Sequence, residues 1–139
     1  MVTYVRLAPK TTSAVLVAPV GTGVLETFPT HIIRPFLKAY EVALLSTHKF
    51  RHGAALFKNK IVVAKPNLVK THPWLKQFCR FPYLHAESNA ILSKGVDNCD
   101  GFSMVVVRLF KSGELAYSKP CLPCQNLCAK VGLHMIYHT

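Results

Sequence analysis

A three-layer α/β fold, a sheet covered by helices with an N-terminal extension over residues 1–30, is the class this sequence predicts. Two observations carry it. Past residue 30, short apolar runs of strand character alternate with segments whose apolar residues recur at helical spacing. After an opening hairpin that alternation continues to the end, the pattern of a sheet with parallel pairs at its centre. The 139 residues suit one domain, half of them are apolar, and no internal repeat is visible, so 31–139 reads as a single folded unit behind the extension.

The elements follow in order. Within 1–30, "TYVRL" and "SAVLVAPV" are β-like runs, and "GTG" then punctuates the chain. Thr30 stands where a cap would, ahead of a helix with apolar positions Ile33, Phe36, Leu37, Tyr40, Ala43 and Leu44, and Pro35 sits in or near its first turn. "HGAALFKNKIVVAKPN" reads as a hairpin, Gly53 to Phe57 and Ile61 to Ala64. Lys65 to Leu84 reads as a loop. "HAESNAILSKG" is a helix of two to three turns stopped by Gly95. "FSMVVVRLF" is a buried strand that "KSGELAY" turns back. "PCLPCQNLCAKVGL" starts a second short helix, with Pro120 at its mouth and Gly132 at its stop, and "LHMIYH" is a final strand.

Composition narrows the partners. Seventeen Lys and Arg face six Asp and Glu, a formal charge of +11, which suggests either a merely basic surface or an anionic partner such as a nucleotide, a polynucleotide or an acidic protein. No stretch reaches the roughly 20 apolar residues of a membrane span, and the N-terminus lacks a signal pattern, so no membrane role and a cytoplasmic setting are expected. Five Cys is an odd count, so a disulfide framework is not expected; in a reducing compartment a close Cys pair points to metal or redox chemistry.

Two helix starts carry that chemistry. "YLHAESNAIL" presents His85, and "SKPCLPCQNLCAKVGL" presents Cys121 and Cys124, whose two-residue spacer lets both thiolates reach one ion. One His and two Cys suit tetrahedral Zn²⁺ and leave its fourth position open, as a catalytic zinc requires. Glu87, two residues past His85, is badly spaced to be a fourth ligand and well spaced to shuttle protons to a bound water and a substrate. A structural zinc closed by Cys128 and a plain buried His with core Cys are the competing readings; Cys128, one turn deeper, is expected in the core. His85, Glu87, Pro120, Cys121 and Cys124 together spell H-x-E … P-C-x-x-C, the signature of zinc deaminases.

On these residues, and over about Thr30 to Tyr137, the chain resembles the cytidine deaminase superfamily. "HGAALFKNKIVVAKPN" resembles the first hairpin of deoxycytidylate and tRNA adenosine deaminases, "HAESNAIL" their HAE-x-NAI helix, and "KPCLPCQNLCAKVGLHMIYH" their zinc-binding helix and next strand. The resemblance implies a cytidine deaminase-like fold with zinc on His85, Cys121 and Cys124, and Glu87 as the proton shuttle. It also implies Asn67 on the sugar and Ala86 among the substrate contacts. The implied reaction is hydrolytic: activated water attacks the amino-bearing ring carbon and ammonia leaves. Glu87 speaks against a catalytically dead binding protein. Three departures stand out. Lys65 and Pro66 replace the Gly that often precedes the Asn. The chain stops at Thr139, where relatives continue with a strand and a helix. The extension is unusual, and a strand from it could cover the open sheet edge.

For the substrate, "KPNLVKTHPWLKQFCRFPYLHAE" places Lys65, Lys70, Lys76 and Arg80 among Trp74, Phe78, Phe81 and Tyr83. Cations would meet phosphate and rings would stack on bases, or the rings plug the core and the cations are solvated. His72 could bond a phosphate or cap the loop. A cytosine base in a free nucleotide or nucleoside such as dCMP is the favoured substrate. Single-stranded DNA or RNA is the alternative, and a homo-oligomer is a further expected state.

Overall fold

The computed structural model of the chain describes residues 5–6, 16–19, 29–70, 72–77 and 83–139. The elements are β1 (Val5–Arg6), β2 (Leu16–Pro19), α1 (Ile33–Leu44), β3 (Arg51–Lys58), β4 (Lys60–Pro66), α2 (Ala86–Lys94), β5 (Ser103–Leu109), β6 (Leu115–Ala116), α3 (Leu122–Lys130) and β7 (Met135–His138). They form one seven-stranded sheet in the order β1-β2-β7-β5-β3-β4, with β6 on β5. Its centre is parallel: β7 pairs with β5 as the alternation of strands and helices predicts, and β2, from outside that alternation, pairs parallel with β7. β2, from the N-terminal stretch, pairs along β7 at the edge expected to need cover.

Both faces of the sheet are buried, which is why "SMVVVRL" shows almost no polar alternation. On one face α1 lays Phe36, Ala39 and Ala43 over Ala55, Phe57, Val105, Val107 and Tyr137. On the other, Ala90 and Ile91 of α2 and Leu127 and Cys128 of α3 pack over Ala54, Leu56, Met104, Val106 and Ile136. The result is three layers, helix on sheet on helices.

Several local readings need correction. Thr30 opens a 3₁₀ turn, Thr30–Ile32, and the residue that caps α1 is Ile32, with no side-chain hydrogen bond. The buried stripe of α1 is rotated from the expected one: Leu37 and Leu44 are exposed, while Ala39 and Val42 are buried. The cause is close approach. A Cβ on Gly53 of β3 would strike the Ala39 carbonyl and fall 2.8 Å from the Ala43 nitrogen, so small side chains must face the sheet there. The hairpin strands are longer than expected, and a turn at Asn59, with φ of 69°, joins them. The expected loop from Lys65 begins inside β4 and carries a 3₁₀ turn at Pro73–Gln77 and a bridge between Leu68 and Leu84. "GTG", Phe78, Arg80 and Phe81 lie outside the described residues. No helix among the described residues is long and apolar enough to cross a membrane.

Candidate metal centre and adjoining cavity

The candidate site lies where α2 and α3 begin, at the ends of β3 and β5. His85 and Cys121 are the N-cap residues of the two helices, both with extended backbone, and Cys124 is on the first turn of α3. Local bonds fix these starts. Ser88 Oγ donates to the His85 carbonyl at 2.9 Å, and Asn89 Nδ2 ties α2 to the Pro66 carbonyl at 2.8 Å. Gln125 Nε2 donates to the Pro120 carbonyl at 2.8 Å, holding the turn that carries Cys121.

The three side chains converge. His85 Nδ1 lies 3.1 Å from Cys124 Sγ and 3.7 Å from Cys121 Sγ, and the three donor atoms lie within 4.8 Å of one another. A tetrahedral ion with bonds of about 2.0–2.3 Å needs its donors roughly 3.5–3.8 Å apart. The group could therefore hold a metal ion, and one imidazole with two thiolates fits zinc. Neither Glu87 nor Cys128 belongs to it; Cys128 is fully buried in the core against α2 and the sheet.

Protonation follows the same geometry. The hydrogen bond from Cys124, helped by His85, lowers the Cys121 pKa to about 4 against the opposing effect of burial. Cys124 moves the other way, well above 9, through its bond to Cys121 and through burial. Burial alone would lower the His85 pKa, but its bond to Cys121 and the charge of Glu87 bring it above the ordinary value. Without metal, the pair thus holds one thiolate and one thiol beside a readily protonated imidazole.

A cavity of about 300 Å³ adjoins this group, lined by His48, Phe50, His52, Asn67, Tyr83, Ala86, Glu87, Arg108, Ser118 and Lys119 along with His85 and Cys121. Glu87 is 4% exposed, in the first turn of α2, where the helix dipole favours a carboxylate. The rings of His48 and Tyr83 lie 4.6 Å apart and those of Tyr83 and His85 5.1 Å apart, giving the cavity an aromatic wall. Burial lowers the His52 pKa despite the charge of Glu87, so its ring is neutral near pH 7.

Of the expected substrate residues, Asn67 and Ala86 reach the cavity. Asn67 is also a strut: its Oδ1 accepts from Ser46 Oγ at 2.6 Å and from the His52 amide at 2.9 Å, and its Nδ2 donates to the Phe50 carbonyl at 2.6 Å. One amide hydrogen then remains for a ligand. Trp74 and Lys70 do not line the cavity: Trp74 packs against the core beside Leu75, and Lys70 is exposed. His72 caps its own turn, with Nδ1 accepting from the Trp74 amide at 3.1 Å. The Lys76 side chain and all of Arg80 lie outside the described residues.

Sequence reasoning missed His48, Phe50, His52, Arg108, Ser118 and Lys119. Two signals were present. "THKFRH" crowds rings and cations just ahead of β3, and Arg108 is the one charge inside the apolar strand "SMVVVRL". No protein-family model matches the chain, and no curated protein matches it.

Proposed function

We propose that the chain is a zinc-dependent hydrolytic deaminase that converts cytosine to uracil in a free nucleotide or nucleoside of the dCMP kind. The observation that carries this reading is one of position: His85, Cys121 and Cys124 form a group that could hold a metal ion, and Glu87 lines the adjoining cavity outside that group. Zinc, when bound, supplies Lewis acidity that activates water at its open position. In this reading Glu87 takes a proton from the attacking water and returns one to the departing amino group, so that ammonia leaves and a carbonyl remains. The aromatic wall of His48 and Tyr83 offers a flat base a surface to stack on. Neutral His52 and the spare Asn67 amide hydrogen offer hydrogen bonds beside it.

The formal charge of +11 favours a second reading, cytosine within single-stranded DNA or RNA, because one phosphate does not need that many cations. Incubating the zinc-loaded chain with dCMP, cytidine and cytosine-bearing single strands, then resolving uracil products, separates the two. Uracil from dCMP or cytidine is the expected result. Inert free nucleotides beside a converted strand would transfer the reading to polynucleotides, and no uracil from any of them would end both.

A further inference from the structure

Among the described residues, Arg108 is a cavity cation with no carboxylate partner. It sits near the end of β5, directly across the strand pair from His52, on the sheet face that carries Met104 and Val106. Its Nε is buried without a hydrogen-bond partner, and among the described residues its guanidinium meets no carboxylate and no carbonyl. Its backbone amide donates to Thr139 Oγ1 at 3.4 Å. The Arg108 guanidinium carbon lies 5.4 Å from the centroid of the Phe50 ring, and both residues line the cavity. Arg51, one strand away, shows the contrast: its guanidinium is occupied by the carbonyls of Phe110 and Lys111 at 2.7 and 3.2 Å. Arg108 as a whole is half-buried and lines the cavity, and a phosphoryl oxygen there is an acceptor whose geometry a guanidinium matches. Lys119, exposed on the loop before α3, lines the same cavity and brings a second positive charge.

We infer that Arg108, assisted by Lys119, binds the phosphoryl group of the substrate, so that the cavity selects a nucleotide over a nucleoside. This rests on the deaminase reading for the base and the chemistry, but the anion subsite is carried by Arg108 itself. Glu87, the acidic group that lines this cavity, belongs to the metal side of it and does not neutralise Arg108 by direct contact.

Titration calorimetry on the full zinc-loaded chain in a Glu87→Ala background, where turnover is blocked, tests this with dCMP, deoxycytidine, inorganic phosphate and a cytosine-bearing single strand. The expected result is dCMP bound at least ten-fold more tightly than deoxycytidine. Arg108→Gln should abolish that preference while leaving deoxycytidine affinity within two-fold, and Arg108→Lys should restore part of it. Lys119→Gln, an exposed change that keeps the fold, should reduce the preference several-fold, whereas Lys38→Gln on α1 should leave it unchanged. If the single strand in place of dCMP shows the Arg108 dependence, the phosphoryl group comes from a strand and the subsite stands. Equal affinity for dCMP and deoxycytidine, or equal weakening of both by Arg108→Gln, overturns it. If no nucleoside or nucleotide binds, the phosphate arm decides: phosphate binding lost in Arg108→Gln upholds the subsite, and its absence overturns it. Arg108-dependent dCMP binding by a wild-type chain that makes no uracil would end the deaminase reading and leave this one standing.

Discussion

Residue by residue, the proposed reaction would give Glu87 the proton transfer and His85, Cys121 and Cys124 the metal. Glu87→Ala should keep the metal and the fold and lower turnover about 10²–10⁴-fold, the usual worth of a positioned proton shuttle. Steady-state rates beside metal content check this, and wild-type turnover would mean that Glu87 has another role. The protonation pattern gives a second test. Zinc binding must displace the proton of Cys124, whose pKa is raised, and the partial proton of His85, whose pKa is also raised, whereas Cys121 is already a thiolate. About one to two protons should therefore leave per zinc at pH 7, and zinc affinity should fall as pH falls. Calorimetry in buffers of different ionisation enthalpy reads that number. The convergence of His85, Cys121 and Cys124 was legible in the sequence because each sits on a short motif at a helix start. The cavity residues were not, because His52 and Arg108 meet only through the pairing of β3 with β5.

Gly53 shows how one element seats another. Gly53→Ala drives a methyl group into the α1 backbone and should cost about 1–3 kcal/mol, read as a lower denaturation midpoint. Periodicity alone chose Leu37 and Leu44 for the buried face of α1 because it weighs hydrophobicity and not distance; contact with β3 selects Ala39 and Ala43 instead. Trp74, which the sequence offers either as a ring for stacking on bases or as a core plug, is half-buried and packs against the core. α2 and α3 were read with their ends nearly right, since Gly95 and Gly132, with φ of 102° and 87°, mark their stops by backbone conformation. Asn67 joins elements in a third way, linking the end of β4 to Ser46 and Phe50. Asn67→Ala should therefore weaken substrate binding and also cost about 1–3 kcal/mol of stability from the partners it strands.

Across the whole molecule, stability should depend on pH through His138. Burial holds its pKa below 6.5, with the Thr139 carbonyl opposing and Lys119 adding to the shift. As pH falls through about 6.5 the unfolded chain takes up the proton first, so this contribution is intact above that point and is lost as pH falls through the folded pKa. Thermal melts from pH 8 to 5 should show the decline, and His138→Gln should reduce it, leaving the share of His52, whose pKa burial also lowers. The layered sheet was legible because the alternation of strands and helices fixes it, including the parallel pairing of β5 with β7. Net charge was legible but not its use. If the partner is a polynucleotide, binding of a single strand should fall with salt at a log–log slope of about −0.7 per phosphate contacted. The central claim, that two helix starts build a metal centre for chemistry, is tested most directly by elemental analysis of the chain purified without chelator. About one zinc per chain is expected, lost in Cys121→Ser and in Cys124→Ser. Wild-type protein that is folded and carries no zinc would contradict it.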